Sequence, residues 1–151
     1  MYLPAELADR YRDRLSQAGQ GAAQAKEALK VRKQIIKRLH DAGVGVLLGA
    51  DSPQIFNVPG FAIHRELQAM VAAGLSPEEA LRTGTTAPAR YFGRSEDFGA
   101  LRPGLSADLV WIDGDPTADI GNAAKIRGVM VRGRWLDRDE LDAGLQAIAE
   151  R

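Results

Sequence analysis

The run Val44-Gly45-Val46-Leu47-Leu48-Gly49 is apolar at odd and even positions alike. A strand of that texture cannot leave one face in water, so it predicts a strand covered on both sides, as in a parallel α/β sheet. Asp51 follows where such a strand leaves the core, and a carboxylate placed there can face a pocket. Asp51-Ser52-Pro53 is also ordinary turn chemistry, and from the residues alone the turn is the stronger reading.

Before this run, residues 4–17 and 21–41 read as two helices, with Pro4 tolerated in a first turn. In the second, Ala28, Val31, Ile35 and Leu39 recur at helical spacing and predict one buried stripe. Lys26, Lys30, Arg32, Lys33, Lys37 and Arg38 lie largely off it. A basic helix suggests a nucleic-acid or membrane surface, but the chain balances 20 basic against 20 acidic residues, so a solvated outer face is the better reading.

After the run, Pro53, Asn57, Pro59 and Gly60 predict an irregular loop over 50–60, of the kind that shapes pockets. Ile55, Phe56 and Phe61 offer an apolar wall there, but packing against the core uses the same residues and is the preferred reading. Ile63, Leu67, Met70 and Val71 mark a helix ending near Gly74. Ser76, Pro77 and Glu79 spell a capping box for a helix running to about Thr83. Thr86 reads as the cap of another short helix ending at Gly93. From Phe98 the texture turns to strands: one over 108–113, then a hairpin of 129–131 and 134–136 turning at Arg132-Gly133. Gly114-Asp115-Pro116 is a turn, and Leu141, Leu145 and Ile148 predict a packed terminal helix.

Several chemistries are disfavoured. Without cysteine there is no disulfide, thiol nucleophile or thiolate metal site. No apolar stretch approaches the roughly 20 residues of a membrane span, and Met1-Tyr2-Leu3-Pro4 is unlike a secretory signal, which leaves the cytoplasm as a default. The glycines at 43, 45 and 49 precede no helix, so they are no dinucleotide fingerprint. Ser52 lacks a nucleophile elbow. The two histidines, His40 and His64, form neither His-x-His nor His-Glu-x-x-His, and so build no ordinary zinc site. His40 suits the C-terminal end of a helix dipole. His64 leads the helix after the loop, where contact with substrate competes with an orienting or packing role.

Six blocks taken in order resemble the C-terminal portion of an amidohydrolase-superfamily enzyme of the imidazolonepropionase-like or prolidase-like branch. They are Ala42–Ser52, His64–Leu67, Ala73–Leu81, Thr85–Arg90, Gly99–Val110 and Val129–Arg134. The resemblance implies an α/β fold: the last strand and helices of a (β/α)8 barrel over 1–95, half of a composite β-sandwich over 96–137, and a terminal helix over 138–151. At 151 residues the chain is short of the about 250 that a whole barrel needs.

The same resemblance implies that Asp51 is the catalytic aspartate. It binds or faces a divalent metal, zinc by the family pattern, and accepts a proton from the metal-activated water. The family's other ligands, a His-x-His, a lysine or second carboxylate and two later histidines, have no counterpart here. An N-terminal region or a companion chain is therefore expected to supply them. The complete enzyme would hydrolyse a C–N bond of a small-molecule amide, cyclic amide or dipeptide, with His64 as a candidate substrate contact. The isolated chain is expected to be inactive, to hold no catalytic metal tightly, and to self-associate or be poorly stable. Neither nucleic acid nor membrane is an expected partner. Two alternatives stand: a noncatalytic remnant or interaction module, and a small-molecule binder using a leftover half-pocket.

Overall fold

The computed structural model describes residues 8–10, 12–14, 22–54 and 57–150. Of the helix predicted over 4–17, residues 8–10 and 12–14 are helical, and the remainder lies outside the described residues. The second predicted helix is present as α1, Ala22–Asp41. It is followed by α2 (Ala62–Ala72), α3 (Pro77–Thr83) and α4 (Thr86–Tyr91). Strand β1 (Leu109–Ile112), a 3-10 helix (Ile120–Ala124), strands β2 (Ile126–Val131) and β3 (Arg134–Asp137), and α5 (Arg138–Ala149) complete the order.

α1 packs on the wrong face for the sequence-based expectation. Lys33, Ile36, Lys37 and His40 are its half-buried residues, whereas Val31, Ile35 and Leu39 of the predicted stripe are 45%, 50% and 43% exposed. The periodicity located an apolar face correctly. The described chain simply offers nothing to cover it, and α1 turns its adjacent face toward α2 instead.

The segment 44–50 departs in the same way. It carries no strand pairing among the described residues. A strand is defined by its neighbours' hydrogen bonds, and here the Leu48 N–H donates to the Thr83 carbonyl at 3.0 Å while Val44 N–H donates to Leu39 at 3.0 Å. Val46 and Leu48 pack on the core, whereas Val44 and Leu47 are exposed. One face is thus covered, not the two predicted. Leu48 reaches in closely because position 84 is glycine: a Cβ there would lie 2.7 Å from its Cδ2.

The core gathers Leu67 and Met70 of α2, Leu75, Ala80 of α3, and Ile120 and Ala123 of the 3-10 helix. Buried Thr83 satisfies its hydroxyl by donating to the Ala80 carbonyl at 2.6 Å. The capping box of α3 forms as predicted: the Glu79 N–H reaches the Ser76 hydroxyl and the Ser76 N–H reaches the Glu79 carboxylate. For α4 the cap position belongs to Thr85, not Thr86, and its hydroxyl donates back to the Leu81 carbonyl at 2.9 Å rather than capping. The 3-10 helix went unpredicted because its signal is short: Asp119 caps it by accepting from the Gly121 N–H at 2.8 Å, and only Ile120 and Ala123 face inward.

The three strands form an antiparallel sheet in the order β1-β2-β3. Its register pairs Leu109 with Met130 and Trp135, and Trp111 with Gly128 and Asp137, so these residues share one face. Trp111 and Trp135 lie 6.0 Å apart on that face and cover Gly128. The hairpin turns at Arg132 (φ 51°) and Gly133 (φ 81°), the left-handed pair that tight hairpins demand. α5 is capped by Asp137 and rests Leu141 and Leu145 on β2 and β3, but Ile148, predicted to be packed, is 55% exposed. The described chain is therefore a mixed helical and antiparallel β structure, and it closes no barrel by itself.

Candidate active-site loop

Asp51 sits directly after the extended segment, with a left-handed backbone (φ 48°). Aspartate adopts that conformation more readily than most residues because its short side chain bonds locally. Its carboxylate is exposed to solvent and accepts a hydrogen bond from the Gln54 side-chain amide. The Asn57 amide donates to the Ala50 carbonyl at 2.9 Å. Between them the backbones of Gln54 and Asn57 exchange hydrogen bonds, 2.9 Å in one direction and 3.4 Å in the other. Gln54 thus meets the carboxylate itself, and Asn57 the backbone carbonyl one residue before it. Sequence reasoning treated Asn57 only as a turn former and passed over Gln54; amides three and six residues after the aspartate were the available signal.

His64 lies in the first turn of α2, half-buried. Its Nδ1 is buried without a hydrogen-bond partner among the described residues. Burial lowers its pKa from the usual 6.5, so the ring is neutral at pH 7. No hydrogen bond joins it to Asp51 among the described residues. Ile55 and Phe56 lie outside the described residues, and Phe61, read as packing, is 45% exposed.

His40 does more than sit at the end of α1. Its Nε2 lies 3.1 Å from Glu79, joining the last turn of α1 to the capping box of α3. It is a structural link, at the far end of α2 from the loop.

Among the described residues no three His, Asp or Glu side chains converge, and Asp51 meets a single amide. A divalent ion with three or four protein ligands does not fit the groups present.

The segment leading into Asp51, the loop, the capped helix and the sheet all fall within one family match: the model described as the amidohydrolase family aligns with residues 3–136. The chain belongs to the amidohydrolase family. Among individual relatives of this amidohydrolase, adenine deaminase 3 of Rhizobium meliloti is 34% identical over 104 residues, covering 69% of this chain and 16% of the relative. A Bifidobacterium longum structure assigned as a prolidase is 32% identical with a TM-score of 0.63, covering 76% of this chain and 30% of that one. Molinate hydrolase is 30% identical with a TM-score of 0.59, covering 72% of this chain and 27% of that one. The chain therefore spans less than a third of each of these relatives' lengths, and it corresponds to the C-terminal portion of the family.

Proposed function

We propose that this amidohydrolase chain contributes the last barrel segment and one catalytic carboxylate, Asp51, to a metal-dependent hydrolase completed by other polypeptide. The observation that carries the reading is the placement of Asp51 at the end of a half-covered apolar segment, held by Gln54 and a loop braced on Ala50. An exposed carboxylate there can take a proton from an attacking water. The metal, zinc by family pattern, belongs to ligands outside this chain, because the residues present do not fit it. The substrate class is a small molecule with a hydrolysable C–N bond: an amide, cyclic amide or dipeptide. His64 is a substrate contact or positions one, since its neutral ring presents a buried Nδ1 that nothing described satisfies.

The test is turnover of amide, cyclic-amide and dipeptide substrates with zinc supplied. The purified chain alone is expected to give none, and no zinc-dependent shift in melting temperature. Activity is expected when polypeptide carrying the remaining ligands is added, and Asp51→Asn should then lower it by at least about 100-fold, the effect of losing a general base. Hydrolysis by the chain alone, or activity indifferent to Asp51→Asn, overturns the proposal. Absence of activity with every ligand-bearing partner favours a noncatalytic module.

A further inference from the structure

A cleft of about 520 Å³ lies between α1 and the C-terminal end of α2. Lys30, Lys33, Gln34, Lys37 and Arg38 line it from α1, and Ala72 with Ala73 close it from α2. That size falls in the range of small-molecule sites, roughly 300–1,000 Å³. α1 carries six cations and two carboxylates in a chain whose net charge is zero, so the positive field is local to this helix.

The carboxylates do not use up the cations. Asp41 engages Lys37, and Glu27 pairs with Lys30 at 3.8 Å. Lys33, half-buried, and Arg38 have no carboxylate partner among the described residues. At the end of α2 the carbonyls of Ala69, Met70 and Val71 already accept from the backbone N–H groups of Ala73, Gly74 and Leu75. Lys33 and Arg38 therefore line the cleft without an anionic partner among the described residues.

Their spread decides the ligand. Lys30 and Arg38 are eight residues apart, about 12 Å along a helix, with Lys33, Gln34 and Lys37 between them. No single phosphate or carboxylate spans that length, while a chain of linked phosphates does. We propose that this cleft binds an oligophosphate, free or as the phosphate chain of a nucleotide. The site lies at the end of α2 opposite the Asp51 loop and does not rest on the reading of Asp51.

Equilibrium dialysis against inorganic tripolyphosphate tests it and reads bound anion whether the chain is monomeric or associated. Saturable binding of one anion per chain is expected. Lys33→Gln and Arg38→Gln should each weaken it about tenfold or more, the cost of losing a charge-assisted hydrogen bond. Arg32→Gln, on the same helix but outside the cleft, should leave it unchanged, and circular dichroism confirms that each variant folds. A nucleoside triphosphate that binds like tripolyphosphate identifies the phosphate chain alone as the ligand; tighter binding adds a nucleoside contact, and both support the site. The proposal fails if no saturable binding occurs below about 1 mM, if orthophosphate binds equally well, if Arg32→Gln costs as much as the cleft variants, or if duplex DNA at the same salt binds better.

Discussion

His40 Nε2 lies 3.1 Å from Oε1 of Glu79, and the other oxygen of that carboxylate accepts the Ser76 N–H at 2.7 Å and the Ser76 hydroxyl at 2.9 Å. One exposed side chain therefore caps α3 and ties it to α1. The Ser76 backbone bond, then the His40 contact, hold the Glu79 pKa down at about 2, from 4.5.

A carboxyl whose pKa is lowered by folding stabilises the protein above its unfolded value, and that contribution is lost as pH falls through the folded value. Stability is thus expected to decline between about pH 4.5 and pH 2. In urea denaturation across that window, Glu79→Gln should be less stable than the parent at pH 7 and should lose less on acidification. Equal pH slopes for the two proteins would show that the cap does not hold its ionised form.

Gly128 lies under Trp135, and a Cβ there would sit 2.2 Å from an indole carbon. β2 is paired on both sides, so the Trp135 ring is what must move. Gly128→Ala is expected to cost about 1–3 kcal/mol, as overpacking does, and to change tryptophan fluorescence as Trp135 is displaced from Trp111. An unchanged emission spectrum and midpoint would mean that the face repacks freely.

The same sheet shows why some of the fold was legible. Its strands are rich in β-branched and aromatic residues and its turn carries Arg132-Gly133, so local residues dictated the hairpin; the Ser76-Pro77-Glu79 box did the same for α3. Other parts depend on what lies beyond the local sequence. Val44–Gly49 reads as a doubly covered strand and Val31, Ile35 and Leu39 as a buried stripe because apolar pattern reports a need for partners, not their presence. The 3-10 helix at Ile120 offered two inward residues and no period. At the candidate site, the place of Asp51 after the apolar run is legible in the sequence and its catalytic role is implied only by the family resemblance, while the Gln54 and Asn57 bonds depend on the folding of the backbone around it.

Asp51 holds a left-handed φ of 48° that glycine adopts without steric penalty. Asp51→Gly is therefore expected to be neutral or to stabilise the chain by up to about 1 kcal/mol, and Asp51→Val to destabilise it, since β-branched residues resist that conformation. Thermal melts of the three proteins check the order. Asp51→Gly melting well below the parent would show that the Gln54 contact outweighs backbone strain.

His64 carries a buried nitrogen without a partner among the described residues, and an unsatisfied polar atom costs more than an apolar replacement. His64→Leu should keep or raise the stability of the isolated chain. Burial lowers the pKa of His64, so its contribution is full above about pH 6.5 and is lost as pH falls through the lower folded value. The leucine variant should lack that part of the acid slope. A large loss of stability in His64→Leu at pH 7 would reveal a hydrogen bond that the ring makes in solution.

Val31, Ile35 and Leu39 form an apolar row on the open face of α1, and Leu47 and Val44 remain open on the segment that follows. No bulky side chain among the described residues is completely buried. Contiguous apolar surface of this kind seeks cover, and the backbone of 44–50 offers unpaired groups to the same partner. The isolated chain is expected to associate at micromolar concentration in sedimentation velocity. Ile35→Gln should raise its monomer fraction while changing intrinsic stability by no more than about 0.5 kcal/mol, because the side chain is already half in water. Association unaffected by Ile35→Gln and by Leu39→Gln would move the adhesive surface elsewhere, with the Trp111 and Trp135 face next to test.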